Sequence, residues 1–403
     1  MPPRTRSEVL RNAFDLVLKY GDDLAATITL EMGKSLPEAH AEVAYAAEFL
    51  PEGTADLVRR VPVGPCYLVT PWNFPLAMVT RKVGPALAAG CTVVLKPADL
   101  TPLTAMAFVD LLAEAGVSAG VVNLLTTTRP GPVSTALMHD PRLRKVSFTG
   151  STAVGRLLLA EAADRVLRCS MELGGNAPFV VLEGADVEQA VQGAMAAKFR
   201  NIGQAGTTAN RFLVHDALAD EFADQLAARA SGLKVGPGNE PGANLGPLIS
   251  EAAVDRNLRI ISDAVDGGGR VLTGGHRIDR PGHFLEPTVI SEVHPASRAL
   301  AEEILWSHCS HHPLREHRRG DDPANATEYG LAGYVFAPDL SVGHAFARQI
   351  EAGMVGVNTG TISNAAAPFG GVKSSGLGRE GGPEGIEVYL TTQYVASPAA
   401  PMS

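Results

Sequence analysis

Lys145–Gly155 reads KVSFTGSTAVG. The strand-forming run from Leu143 to Phe148 enters Gly150. Ser151 follows, and from Ala153 to Ala163 apolar residues recur at helical spacing. This is a strand, a glycine turn and a helix start. Gly150 lets the backbone approach a ligand closely. The helix N-terminus offers free N–H groups and the positive end of a dipole, which suits a pyrophosphate. The glycines are spaced G-x-x-x-x-G, so the usual G-x-G-x-x-G dinucleotide fingerprint is absent. A Gly/Ser turn before a helix also reads as a plain cap.

The same alternation extends in both directions. Ser7–Met32 has the apolar spacing of one or two helices. CYLVTPWNFP (66–75) is a short β-rich run closed by prolines. KVGPALAAGCTVVLKP (82–97) reads as a helix followed by a strand at Thr92–Leu95. A helix over Leu103–Ala115 and a strand over Val121–Leu125 come next. Beyond Gly175 the pattern resumes with strand Phe179–Leu182, helix Val187–Phe199, strand Arg211–Val214 and helix Leu218–Ala230. Strands alternating with helices predict an α/β fold with parallel-rich sheets.

Composition bounds the function classes. The chain has 403 residues, 45% of them hydrophobic and 19% charged, with a formal net charge of -9. That is enough to bury a large core in two or three domains. Acids and bases are interspersed, so nothing predicts a nucleic-acid or anionic-membrane partner. The most apolar stretch, Val83–Leu95, is too short to span a bilayer and is broken by Gly84, Pro85 and Gly90. The N-terminus lacks the apolar segment of a secretory signal, and the expected location is cytoplasmic. The four cysteines, Cys66, Cys91, Cys169 and Cys309, are spaced for neither a zinc site nor a disulfide framework.

Three further motifs carry chemistry. LKP at 95–97, with Asp99 beyond it, places a lysine and a carboxylate at a strand end, where doubly wound sheets bind ligands. They suit ribose hydroxyls, or form a surface ion pair. MELGGNAP at 171–178 sets Glu172 before two glycines, as a mobile general base or a solvated loop charge. RNIGQAGTTANR at 200–211 contains no strong nucleophile; Thr207 and Thr208 have no neighbouring histidine to activate them.

Taken together with LEPTV, EYGLAGYVF, GMVGVNTG and PFGGVKSSGLGREGG, these segments resemble the aldehyde dehydrogenase superfamily in order and spacing over about Arg4–Val395. The C-terminal third looks most like succinate-semialdehyde dehydrogenases. The resemblance implies a dinucleotide-binding domain (1–45 and 63–174), a catalytic domain (175–385) and a small β arm for homo-oligomerisation (46–62 and 386–403). It implies NAD or NADP as cofactor and a small aldehyde as substrate. Asn73 would donate to an oxyanion, and Glu172 would be the general base. Pro71, Trp72, Lys96, Asp99, Gly150, Ser151 and Glu303 would face the cofactor. Arg81, Arg200 and Ser363 would bind the distal carboxylate of succinate semialdehyde, and two guanidiniums recognise such a group well. The carboxylate of Asp99 would favour NAD+ over NADP+.

Three departures stand against this. Where the family pattern is G-Q-x-C, this chain has Gly203-Gln204-Ala205-Gly206, so the nucleophilic cysteine is replaced by Gly206. That predicts a chain without aldehyde oxidation, a pseudoenzyme or the product of a damaged gene. After Glu303 the sequence ILWSHCSHHPLREHRRGDD is unlike the family. Plausible codons read one base out of frame restore family-like residues, opening near Ile304 and closing near Ala324. Leu305–Asp322 is therefore expected to be poorly packed and solvated, and Glu303 to lose its position. Metal binding by its histidines is the alternative reading. Finally, only PEGTADLVRRV (51–61) intervenes before PVGP, which predicts a shortened arm and a weakened oligomer.

Overall fold

The computed structural model describes residues 2–48, 59–304 and 323–393, together with the backbone of 308–314. Among them, β1 (Arg59–Pro62) pairs antiparallel with a strand from the other end of the chain, Leu390–Gln393, as a two-stranded ribbon. Residues 49–58, which hold most of the segment expected to be shortened, lie outside the described residues.

The first large sheet is built from β2 (Cys66–Val69), β3 (Val93–Lys96), β4 (Val122–Leu124), β5 (Lys145–Thr149) and β6 (Arg168–Glu172), all parallel. The second contains β7 (Ala177–Val181), β8 (Ala209–His215), β9 (Arg270–Thr273), β10 (Thr288–Ser291), β11 (His308–Leu314), β12 (Ala332–Phe336) and β13 (Met354–Val357). Its order is β13-β12-β7-β8-β11-β10-β9, with only β9 antiparallel. The two-residue strand β14 (Gly376–Leu377) returns to the first sheet and pairs with β6, giving the order β14-β6-β5-β2-β3-β4. The terminal strand β15 is the Leu390–Gln393 partner of β1.

Strand patterning follows from burial on both faces. Cys66 and Leu68 of β2 enter one apolar cluster, Tyr67 and Val69 another. In β7, Phe179 and Val181 face one side and Val180 the other. A parallel strand covered twice reads as a continuous apolar run. Helix Val187–Phe199 spans the residues its spacing indicates and starts at Asp186, whose side chain accepts the Gln189 N–H at 3.0 Å. Helix Ala77–Ala89 stops at Gly90, which takes φ 90° as a left-handed cap.

One expectation is corrected here. The backbone of 308–314 is not solvated: it fills the slot between β8 and β10, with Ser310 opposite Arg211 and Thr288 opposite His308. Ladder pairing uses main-chain groups, and without β11 two buried sheet edges would stay open. Residues 305–307 and 315–322 lie outside the described residues. No helix among the described residues is long and apolar enough to cross a membrane.

Candidate active site

In the first sheet β3 and β4 lie on one side of β2, while β5 and β6 lie on the other. The order reverses between β2 and β5, and ligands bind beyond the strand C-termini at such a point. Pro71 and Trp72 follow β2, Gly150 and Ser151 follow β5, and Lys96 ends β3. Two buried hydroxyls at this edge, Thr70 Oγ1 and Thr149 Oγ1, have no hydrogen-bond partner. Lys96 is buried and gives one hydrogen bond to the Pro97 carbonyl at 2.8 Å. Burial holds its amine below the ordinary range, opposed by the charge of Asp99, which is exposed. Ser151 Oγ accepts the Val154 N–H at 3.4 Å, so it caps helix Thr152–Ala163 while leaving the end open to an anion. Orphan hydroxyls, a lysine and a helix N-terminus fit a dinucleotide. Such a cofactor would accept a hydride; Lys96 and the helix end would hold its ribose and phosphates.

A pocket enclosing about 770 Å³, its solvent mouth included, adjoins this edge. Asn73, Arg81, Glu172, Arg200, Gly206 and Ser363 all line it. The catalytic and substrate residues expected from sequence are thus brought into one cavity, and Thr149 lines it as well. Arg81 is buried, lies over the Phe369 ring at 4.1 Å and donates to the Tyr45 hydroxyl. Arg200 is exposed at the pocket rim, 5.8 Å from the Phe74 ring.

The loop that carries Gly206 is strained and heavily tied. Asn201, Ile202 and Gly203 all take left-handed φ, at 54°, 62° and 72°. That is unusual for a β-branched residue and persists only where surroundings enforce it. Glu38 accepts the Asn201 N–H at 2.7 Å. Asn73 Nδ2 donates to the Gln204 carbonyl at 2.8 Å, and Gln204 Oε1 accepts the Ile249 N–H at 3.1 Å. Gly206 itself is not in the left-handed region. A Cβ there would meet Leu331 at 3.2 Å, Glu303 Oε1 at 3.7 Å and the Leu173 carbonyl at 3.8 Å. The backbone therefore does not demand glycine at 206. Gly175 differs, because a Cβ there would stand 2.1 Å from the Gly206 carbonyl oxygen.

Two carboxyls flank this loop. Glu303 accepts the Gly175 N–H at 3.1 Å; burial pushes it up to about 7, against that hydrogen bond. Glu172 ends β6 with both carboxyl oxygens buried and unpartnered. Burial, and then the nearby charge of Glu380, hold it well above the carboxylate range. Held mostly in its neutral form by burial, such a carboxyl is placed to take up or release a proton when charge changes beside it.

Sequence reasoning missed the group behind Glu172. Lys82 and Glu380 form a buried ion pair, and Lys82 also donates to Ser147 Oγ at 2.8 Å. Lys82 adjoins Arg81 on an otherwise apolar helix, a pattern that flags a paired buried charge.

Known proteins resemble this chain over nearly its whole length. A profile of the aldehyde dehydrogenase family matches residues 1–395. The chain is 52% identical to the succinate-semialdehyde dehydrogenase of Paenarthrobacter nicotinovorans, over 98% of this chain and 91% of that protein. It is 46% identical to the NADP(+) succinate-semialdehyde dehydrogenase of Escherichia coli, over 97% and 85%. The crystal structure of succinate-semialdehyde dehydrogenase from Burkholderia pseudomallei superimposes with a TM-score of 0.94 at 46% identity, over 98% and 86%. Family profile, relatives and fold coincide over nearly the whole length: the chain belongs to the aldehyde dehydrogenase family.

Proposed function

We propose that this is the site of an NAD(P)-dependent semialdehyde dehydrogenase whose substrate is succinate semialdehyde or a near relative. The observation that carries the reading is the presence of Arg81 and Arg200 in the cavity that also holds Asn73 and Gly206. Two guanidiniums suit a distal carboxylate. Asn73 would donate to the aldehyde oxygen, and Ser363 would assist the arginines. Glu172 would accept the proton of a water. The relatives named for succinate semialdehyde support the same substrate class. Between the cofactors, the expected preference for NAD+ is not supported. Asp99 is exposed, and the relative from Escherichia coli is named for NADP(+). The test is binding of succinate, the acid product, by calorimetry. Loss of binding in Arg81→Met supports the reading; equal binding in parent and variant sinks it.

A second reading concerns turnover, and one observation favours it. No heteroatom stands on residue 206, and the neighbouring Thr208 Oγ1 is committed to the Gly203 carbonyl at 3.2 Å. The chain then binds aldehyde and cofactor without the covalent step that a thiolate would provide. Following reduced cofactor with succinate semialdehyde and either dinucleotide separates the two readings.

A further inference from the structure

Helix Leu36–Ala47 carries Glu38, Glu42 and Tyr45, spaced i, i+4 and i+7 and hence on one face. Each contacts a different segment that borders the pocket. Glu38 Oε1 accepts the Asn201 N–H at 2.7 Å, beside Arg200. Glu42 Oε1 accepts the Leu76 and Ala77 N–H groups, each at 3.0 Å. Those are the first amides of helix Ala77–Ala89, which has no cap of its own. Tyr45 OH accepts from Arg81.

The middle contact is the most deeply set. Glu42 Oε2 pairs with Lys34, both side chains being 1% exposed. The Lys34 ammonium lies 4.1 Å from the centre of the Phe74 ring, next to Asn73. A buried carboxylate with a paired cation and two backbone donors has every oxygen satisfied. It holds the 73–77 turn to a helix more than thirty residues upstream.

We propose that this helix face is a template that fixes the spacing of the Arg200 loop, the Asn73 turn and Arg81, and thereby selects the length of the carboxylate-bearing substrate. Glu38, Glu42 and Tyr45 are positioning residues. They act through Arg81, Asn73 and Arg200, and the selectivity part rests on the carboxylate reading above. Tyr45→Phe removes one hydroxyl and keeps the ring, so Arg81 keeps its charge and its stacking on Phe369 but loses one fixed hydrogen bond.

The experiment compares the four-carbon succinate with the five-carbon glutarate by calorimetry, in the parent, Tyr45→Phe, Glu42→Gln, Glu42→Ala and Arg81→Met. NADP+ affinity and melting temperature are followed alongside. Tyr45→Phe is expected to weaken succinate five- to tenfold and narrow its advantage over glutarate, with NADP+ affinity unchanged. Glu42→Ala should weaken it more; Glu42→Gln, which keeps an oxygen for both amides but leaves the buried Lys34 ammonium unpaired, should recover only part of the affinity and should lower the melting temperature. If Arg81→Met abolishes succinate binding while Tyr45→Phe and Glu42→Ala leave the ratio untouched, the template is overturned and the carboxylate reading survives. If the parent does not bind succinate, the carboxylate reading and the selectivity built on it both fail. Amide exchange then decides the positioning claim. Glu42→Ala must speed Leu76 and Ala77 at least tenfold, and Glu38→Ala must speed Asn201, with exchange elsewhere unchanged. Uniform acceleration, or none, overturns it.

Discussion

Glu303 lies against Gly206: its Oε1, which accepts the Gly175 N–H at 3.1 Å, would stand 3.7 Å from a Cβ placed on residue 206. A buried carboxyl thus stands beside an empty side-chain position of the pocket wall, and both can be tested without turnover.

The Glu303 carboxyl gives a pH signature. It is raised to about 7 in the folded chain from an ordinary 4.5. Between those values the folded protein holds a proton that the unfolded chain has released. Its contribution therefore weakens stability as pH rises from 4.5 to 7, by roughly 3 kcal/mol in all, and stays flat above. Urea unfolding of the parent and Glu303→Gln at pH 5, 6, 7 and 8 should show their difference growing across that window. Parallel pH profiles would contradict it.

The two loop glycines should respond in opposite ways. Gly206→Ala asks only for a few tenths of an ångström from Leu331, and its stability should stay within about 1 kcal/mol of the parent. Gly175→Ala drives a methyl into the Gly206 carbonyl and should cost roughly 3 kcal/mol. Denaturant midpoints measure both. Equal losses would mean that the loop at 206 is not placed as described.

Breaking the Lys82–Glu380 pair leaves a buried charge. Glu380→Gln should cost about 3–5 kcal/mol, and adding Lys82→Met should recover part of it, since two neutral groups replace an orphaned ammonium. A double variant less stable than the single one, by the same unfolding assay, would show that the pair is not one unit.

The backbone of 308–314 should be protected. His311 and His312 pair with Phe212 and Leu213 inside the sheet, so their amides should exchange about as slowly as those of β8. Fast exchange there would restore the solvated segment expected from sequence.

Much of this was legible before the structure. Alternating strands and helices gave the α/β class, and Val187–Phe199 stands as read, because local periodicity reports which face is buried. Arg81, Arg200, Asn73 and Gly206 were expected together from the family resemblance, and all four line one cavity. Other parts were not legible. Lys82 meets Glu380 across 298 residues, and no local pattern encodes such a pairing. The face of Glu38, Glu42 and Tyr45 has helical spacing, but its targets lie on three separate segments. The strand at 308–314 was misread because its histidines suggested solvent, whereas its place is set by main-chain pairing with both neighbours.

The central claim is that a pocket built for a carboxylate-bearing aldehyde lacks its nucleophile, and cofactor reduction tests it most directly. The parent and Gly206→Cys are given succinate semialdehyde with NAD+ or NADP+ under one assay. Position 206 accepts a side chain, Glu303 is held by Gly175, and β11 is paired. The single replacement is therefore expected to suffice, without rebuilding Leu305–Asp322. The account predicts no reduction above background by the parent and clear turnover by Gly206→Cys. Turnover by the parent at the rate of the variant would contradict it.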